Sequence, residues 1–132
     1  MTAGRGDLAL ARMTGADYVF GGLVGERLQA NLEHWLLLAP QANPAMLEIF
    51  RDRDRLPRRD LVPWAGEFVG KYLTSAVLAY RLTADPRLRA QIERTVADLI
   101  AVQDGDGYLG PFPRHERLTG KTANGQHALW DL

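Results

Sequence analysis

The stretch that decides the fold is residues 66–83, GEFVGKYLTSAVLAYRLT. Its apolar side chains recur at helical spacing and surround most of the helix, a pattern that predicts an α-helix buried on most sides. The few polar side chains fall on one line along this helix. They are Glu67, Lys71, Thr74 and Ser75. We therefore predict a central helix whose narrow polar line faces a cavity.

A second helix is predicted immediately downstream, over residues 87–103. Asp85 suits its N-cap and Pro86 its first position, and the following residues carry apolar side chains on one face and charged side chains on the other. Because only a few residues connect the two helices, we expect an antiparallel hairpin. One buried helix beside one half-exposed helix is the contrast that a double-layered helical ring requires, and an ordinary helical bundle shows the same contrast.

Upstream, residues 23–38 show a further amphipathic helix, whose apolar positions are Leu28, Leu32, Trp35 and Leu36. Pro40 and Pro44 should end that helix, because proline lacks the amide hydrogen and restrains the residue before it. A short helix is expected over residues 45–51, and the charged segment 51–63 is interpreted as a solvated loop. No run of alternating β-branched residues is bounded by turn signals. We predict an all-α fold.

The composition excludes several classes of function. Sixteen basic and 16 acidic residues cancel in the 132-residue chain, so the basic surface of a nucleic-acid-binding protein is not expected. The chain has no cysteine, which excludes disulfides, thiolate zinc sites and cysteine nucleophiles within it. No apolar stretch is long enough to span a bilayer, and no signal-peptide pattern opens the chain. We expect a cytoplasmic protein that binds neither nucleic acid nor membranes.

Glu67 and Lys71 are the first candidates for a binding site, together with Trp64 just before them. An aromatic ring can pack against the C–H face of a sugar while a carboxylate accepts hydrogen bonds from its hydroxyl groups. The alternative is a simple ion pair between residues one helical turn apart, which contributes a few tenths of a kcal/mol.

Two further groups of residues are candidates for ligand binding. Residues 103–107 form an acidic, glycine-rich turn, which would present Asp106 and Tyr108 to a ligand; the alternative is a turn that happens to be acidic. The remaining ligands of an EF-hand are missing, which argues against calcium. Near the end of the chain, His127 lies close to Trp130 and Asp131, in a segment that is predicted to begin another helix.

Several of these stretches, in this order, resemble the N-terminal region of the β-L-arabinofuranosidase-like glycoside hydrolases. They are WAGEFVGKYL at 64–73, LTADP at 82–86, QDGDGYLG at 103–110 and WDL at 130–132. The stretch FGGLVGERLQAN at 20–31 is similar to the leading helix of that family. The resemblance covers residues 18–132.

The resemblance implies an (α/α)6-barrel catalytic domain, of which this chain would be the N-terminal part, truncated before the barrel closes. Residues 1–22 would be an irregular lead-in, and residues 23–132 the barrel portion. Family members cleave terminal β-L-arabinofuranosides, with a glutamate as acid/base and a zinc-bound cysteine as nucleophile. Those catalytic residues are expected beyond residue 132. No catalytic residue, metal site or cofactor is therefore assigned in this segment, and zinc would belong to the full-length enzyme.

The resemblance also implies substrate contact or support at the barrel mouth for the residues that match the family's motifs. These are Trp64, Glu67, Lys71, Asp106, Tyr108, Trp130 and Asp131, to which His127 is added for its place beside the last two. The expected function is that of a glycoside hydrolase fragment for β-L-arabinofuranosides or related plant-type glycans, inactive alone. It would self-associate through uncovered apolar helix faces. Two alternatives stay open: a non-catalytic helical interaction module, and another α/α-barrel activity such as a polysaccharide lyase or unsaturated glucuronyl hydrolase.

Overall fold

The structure, a computed structural model, describes residues 18–61 and 65–117. These residues form five α-helices and contain no strand, which confirms the predicted all-α fold class. The helices are α1 (Gly22–Asn31), α2 (Ala39–Ala42), α3 (Ala45–Arg51), α4 (Glu67–Thr83) and α5 (Pro86–Ala101). A π-helical turn, Leu32–Leu36, continues α1, and a 3-10 turn, Arg114–Glu116, lies in the loop region after α5.

Helices α4 and α5 form the hairpin that the sequence predicts. Ala84 ends α4 in a left-handed conformation, with a φ of 51°. The Asp85 side chain accepts hydrogen bonds from the backbone amides of Arg87 and Leu88, at 2.8 and 3.3 Å, and Pro86 occupies the first helical position. The N-cap and the proline therefore begin α5 at the predicted place.

Two clusters of buried side chains form the core against one face of α4. The first joins the π-helical turn, α3, α4 and α5 through Leu32, Leu36, Met46, Tyr72, Ala76, Ala79 and Leu88. The second joins α3 to the start of α4 and the end of α5 through Ile49, Phe50, Ala65, Val69 and Leu99. Both clusters use side chains of α4, so this helix is the centre of the described structure.

The opposite face of α4 is exposed, although it carries the apolar side chains of Leu78 and Leu82, and Phe68 and Val77 are exposed on the two sides of the helix. The expectation of a helix that is buried on most sides is therefore not met within residues 18–61 and 65–117. The physical reason is that no element of these ranges covers this face. Apolar side chains that stay exposed at neighbouring positions form the kind of surface through which proteins associate.

The π-helical turn that continues α1 ends at Leu36, whereas the sequence predicted one helix as far as residue 38. Pro40 does not only follow that helix but stands at the start of α2, a short helix that the sequence analysis did not predict. The end of the first helix is tied to the hairpin. The Leu36 carbonyl would normally accept the amide four residues on, but that residue is Pro40, which has no amide hydrogen. The carbonyl instead accepts hydrogen bonds from the Tyr72 hydroxyl, at 3.1 Å, and from the side-chain amide of Gln91, at 2.8 Å. A proline near the end of one helix thus creates a polar contact with α4 and α5.

Several expectations from the sequence fall on residues outside the described ranges. They concern the N-terminal lead-in up to residue 17, Trp64, and the start of a further helix at residues 127–132. Among the helices that the structure does describe, none combines the length and the apolar character needed to cross a membrane.

Candidate functional site

The polar line of α4 faces a groove. All four of its side chains, Glu67, Lys71, Thr74 and Ser75, line one groove with a volume of about 800 Å³. Its apolar lining includes Phe50 of α3, Val69 of α4, Leu99 of α5 and Leu109 of the loop after α5. The volume lies in the range of small-molecule sites, in which a few polar groups are set among apolar ones. This groove, called the α4 groove below, is the candidate site.

Glu67 and Lys71 form an ion pair in the α4 groove, with 2.5 Å between Oε2 and Nζ. The Glu67 side chain is 25% exposed and the Lys71 side chain 70% exposed. The predicted ion pair is present and both of its members line the groove, so the two interpretations of these residues are compatible. An exposed pair of this spacing contributes only a few tenths of a kcal/mol. Lys71 can therefore leave Glu67 at little cost, and the carboxylate can then accept hydrogen bonds from a ligand.

A second, smaller groove lies beside the α4 groove and shares Lys71 and Ser75 with it. It has a volume of about 380 Å³ and is lined by the aromatic side chains of Trp35, Phe68 and Tyr72. The Trp35 side chain, which the sequence pattern assigned to the buried face of the first helix, is 49% exposed. Its ring lies 6.2 Å from the Tyr72 ring of α4, between centroids, and the described elements cover only about half of it.

Asp106 and Tyr108 lie in the loop that follows α5. One carboxylate oxygen of Asp106 accepts a hydrogen bond from the Tyr108 backbone amide at 3.1 Å, and Gly107 between them has a φ of 90°. This is the predicted tight turn. The Asp106 carboxylate also forms ion pairs with Arg114 and Arg117, each at 3.2 Å. Asp106 therefore interacts with arginines of its own loop region.

Two arginine side chains lie over the Tyr108 ring. The guanidinium carbon of Arg117 is 3.8 Å from the ring centroid, and that of Arg53 is 5.9 Å from it. The Tyr108 hydroxyl accepts a hydrogen bond from the Phe112 amide at 3.4 Å. We call this group of side chains the arginine cluster; its members are Arg53, Asp104, Asp106, Tyr108 and Arg117.

The structure separates the predicted site residues into two groups. Glu67 and Lys71 line the α4 groove, whereas Asp106 and Tyr108 belong to the arginine cluster and are not among the lining residues of the groove. The loop contributes Leu109 to the groove instead. The remaining predicted residues, Trp64, His127, Trp130 and Asp131, lie outside the described residues.

Sequence reasoning missed three residues that shape this region: Trp35, Arg53 and Arg117. The only local signal for Trp35 is a large aromatic residue at the edge of an apolar stripe. The two arginines stand in charged segments, which local patterns interpret as solvated. No signal within their own segments could have revealed their burial.

Comparison with known proteins decides the family. The family model of β-L-arabinofuranosidase, GH127 catalytic domain, matches residues 17–132. The chain belongs to this family. No curated protein and no solved structure matches it significantly. GH127 proteins are α/α barrels, and the antiparallel α4–α5 hairpin fits that architecture.

The zinc centre implied by the resemblance to GH127 enzymes has no ligand set in the described residues. The chain has no cysteine. Within residues 18–61 and 65–117, no three His, Asp or Glu side chains are grouped so that they could hold a metal ion. Zinc sites in proteins use three or four such ligands. We therefore assign no catalytic step to a metal in this part of the chain.

Proposed function

We propose that this chain supplies a sugar-contacting part of a glycoside hydrolase catalytic domain that acts on β-L-arabinofuranosides or related plant-type glycans. Membership of the GH127 family supports the hydrolase class. The observation that carries the local assignment is the α4 groove, because the polar line of α4 opens into it. The other α/α-barrel activities considered from the sequence gain no support from the family match.

The chemistry of the groove suits a sugar. A sugar ring presents hydroxyl groups at its edge and C–H groups on its faces. The Glu67 carboxylate can accept hydroxyl hydrogen bonds, and such charge-assisted bonds are stronger than neutral ones. Lys71 can donate to ring or hydroxyl oxygens, while Leu99 and Leu109 offer apolar contacts to the C–H faces.

We further propose that the 132-residue chain binds sugar without hydrolysing it. Glycoside hydrolysis generally needs two carboxyl groups on either side of the scissile bond. Of the described candidates, Glu67 lines the groove, whereas Asp106 pairs with Arg114 and Arg117. The chain contains no cysteine that could act as a nucleophile.

Two measurements test this proposal. Titration of the purified chain with a methyl β-L-arabinofuranoside, followed by NMR, is expected to shift the signals of groove residues. Glu67→Gln should weaken binding by about tenfold, because a charge-assisted hydrogen bond is lost. Glu93→Gln is the matched control, since Glu93 forms an ion pair of the same spacing with Arg89, at 2.8 Å, outside the groove.

The second measurement is turnover of a nitrophenyl β-L-arabinofuranoside. No release of nitrophenol is expected from the purified chain, and measurable turnover would contradict the claim of inactivity. Equal sugar affinity in Glu67→Gln, Glu93→Gln and the wild type would contradict the assignment of the groove.

A second candidate function, a helical interaction module, is favoured by the exposed apolar side chains on α4 and α5. Val77, Leu78 and Leu82 are exposed on α4, and Ile100 is exposed on α5. Burying such side chains against a second copy of the chain would stabilise a dimer. Sedimentation should then show a dimer that Leu78→Glu dissociates. A monomeric wild type at micromolar concentration would contradict this function.

A further inference from the structure

Two arginines from distant parts of the chain are almost buried around the loop after α5. Arg53 follows α3 and Arg117 follows the 3-10 turn, yet each side chain is only 8% exposed. Charged side chains are rarely buried to this extent unless they are paired. The groups with which they pair indicate what the two cations do.

Arg53 fastens both ends of the loop. Its guanidinium donates hydrogen bonds to the carbonyl of Val102, where α5 ends, and to the carbonyl of Gly110, at 3.0 Å for the latter. A guanidinium is planar and its donors have fixed directions. One side chain therefore sets the distance between the two ends of the segment 103–109.

Arg117 holds the interior of the same loop. It forms an ion pair with Asp104 and another with Asp106, the latter at 3.2 Å. It also donates a hydrogen bond to the Phe112 carbonyl at 3.1 Å, and its guanidinium stacks on the Tyr108 ring. Charge-assisted hydrogen bonds and cation–π contacts both gain strength when they are shielded from water.

The loop held in this way forms part of the wall of the α4 groove. Leu109 lines the groove. Its neighbours in the chain are Tyr108, which is stacked on Arg117, and Gly110, which is hydrogen-bonded to Arg53. The Tyr108 side chain lies close to the backbone of Gly110, since a Cβ atom on Gly110 would lie 2.2 Å from the Tyr108 hydroxyl. An arginine therefore contacts the residue on each side of Leu109: Arg117 the ring of Tyr108, and Arg53 the backbone carbonyl of Gly110.

We propose that Arg53 and Arg117 are positioning residues for the α4 groove. They hold Leu109 in the groove wall and thereby set the affinity of the groove for a sugar that they do not touch. Neither arginine is among the residues that line the groove. The effect on sugar affinity rests on the proposed function, whereas the effect on the loop can be measured without a ligand.

The test uses Arg117→Gln and Arg53→Gln in the 132-residue chain, each with a matched control. Arg114→Gln is the control for Arg117, because Arg114 pairs with Asp106 at the same distance of 3.2 Å but is 80% exposed. Arg55→Gln is the control for Arg53, because Arg55 belongs to the same charged segment and is 77% exposed. Each control removes the same charge without disturbing a buried guanidinium.

Hydrogen exchange and NMR measure the loop directly. The amides of Asp104 and Gly107 donate hydrogen bonds within the loop, at 3.0 and 2.9 Å. In both buried-arginine variants we expect these amides to exchange at least about tenfold faster and the methyl signals of Leu109 to shift, while the amides of α4 and α5 keep their protection. Sugar affinity should fall by about tenfold. Both controls should behave like the wild type.

Unchanged loop exchange and unchanged Leu109 signals in both variants would overturn the positioning role. An equal loss of protection throughout α4 and α5 would also overturn it, because the arginines would then stabilise the whole fold. If a glutamine variant fails to fold, loop exchange is measured instead in the corresponding lysine variant, Arg53→Lys or Arg117→Lys. Lysine keeps the charge but lacks the planar fork, so faster loop exchange supports the proposal and wild-type exchange overturns it.

The sugar measurement separates this inference from the proposed function. A wild-type chain that binds no sugar contradicts the proposed function, while the loop measurements still decide the role of the arginines. If the wild-type chain binds sugar and the variants bind it with equal affinity although their loop has loosened, this result contradicts the positioning role but not the proposed function.

Discussion

The hydroxyl of Tyr72 donates a hydrogen bond to the carbonyl of Leu36, with 3.1 Å between the two oxygens. Both residues are almost completely buried. Gln91 donates to the same carbonyl and also to the Tyr72 hydroxyl, each at 2.8 Å. The network supplies the donors that Pro40 cannot supply, and it joins the first helix to both helices of the hairpin.

Replacing Tyr72 by Phe should lower the free energy of unfolding by about 1 kcal/mol, since one buried hydrogen bond is lost and Gln91 loses one of its acceptors. Urea denaturation followed by circular dichroism measures the change. Tyr18→Phe is the control, because Tyr18 is exposed and should show no effect. Equal stability of the two variants would contradict a stabilising role for the network.

We expect the protein to lose stability at alkaline pH because the buried Tyr72 hydroxyl ionises there. Burial raises the pKa of Tyr72 above its ordinary value of 10.0, and the hydrogen bond from Gln91 opposes this rise in part. Folding therefore favours the neutral hydroxyl, whose contribution is complete below pH 10 and is lost as the pH rises through the raised value. The stability difference between the wild type and Tyr72→Phe should shrink as the pH rises above about 10 and through the raised value. A constant difference across this range would argue against the burial of the hydroxyl.

Ala84 is a site where a substitution should stabilise the protein. Its φ of 51° lies in the left-handed region, which costs alanine about 1 kcal/mol and which glycine adopts freely. We expect Ala84→Gly to raise the free energy of unfolding by about 0.5–1 kcal/mol. Ala97→Gly, at an exposed position within α5, should lower it by about 1 kcal/mol. Thermal unfolding measures both, and a destabilised Ala84→Gly would contradict the left-handed conformation.

We expect the loop after α5 to loosen at acid pH, because Asp104 forms its ion pair with Arg117 only when its carboxyl is ionised. The hydrogen bond from Arg117 lowers the pKa of the Asp104 carboxyl below its ordinary value of 3.8, with burial opposing this shift. A lowered pKa means that the contribution of the ion pair is complete above pH 3.8 and is lost as the pH falls through the lowered value. Protection factors of the amides in residues 103–110 should decrease below about pH 4, before those of α5. Asp104→Asn should show no acid-dependent step, and an identical step in this variant would assign the effect to another group.

The helices of this protein were predictable because their signals are local. The pattern over residues 66–83 predicted α4, observed as Glu67–Thr83, and Asp85 with Pro86 predicted the start of α5. The groove along the polar line was also predictable in outline. The spacing of Glu67 and Lys71 along the helix places them on one line whatever surrounds the helix.

The walls of the site were not predictable from local patterns. Arg53 stands in a charged segment that predicts a solvated loop, yet its hydrogen bonds reach carbonyls 49 and 57 residues further along the chain. Trp35 fits an apolar stripe, yet its burial depends on whether another element covers it. Neither property is encoded within the few residues on either side.

The amino-acid sequence by itself determined the four longer helices, the N-cap of α5 and the family, because periodicity and an N-cap with its proline act within one or two helical turns and a family pattern is carried by residue identity. The tertiary structure decided which side chains line the groove and which arginines are buried behind the loop. Burial is a property of distant segments that meet, and only the packing of α3 and α5 around α4 brings Arg53, Arg117 and Tyr108 into one cluster.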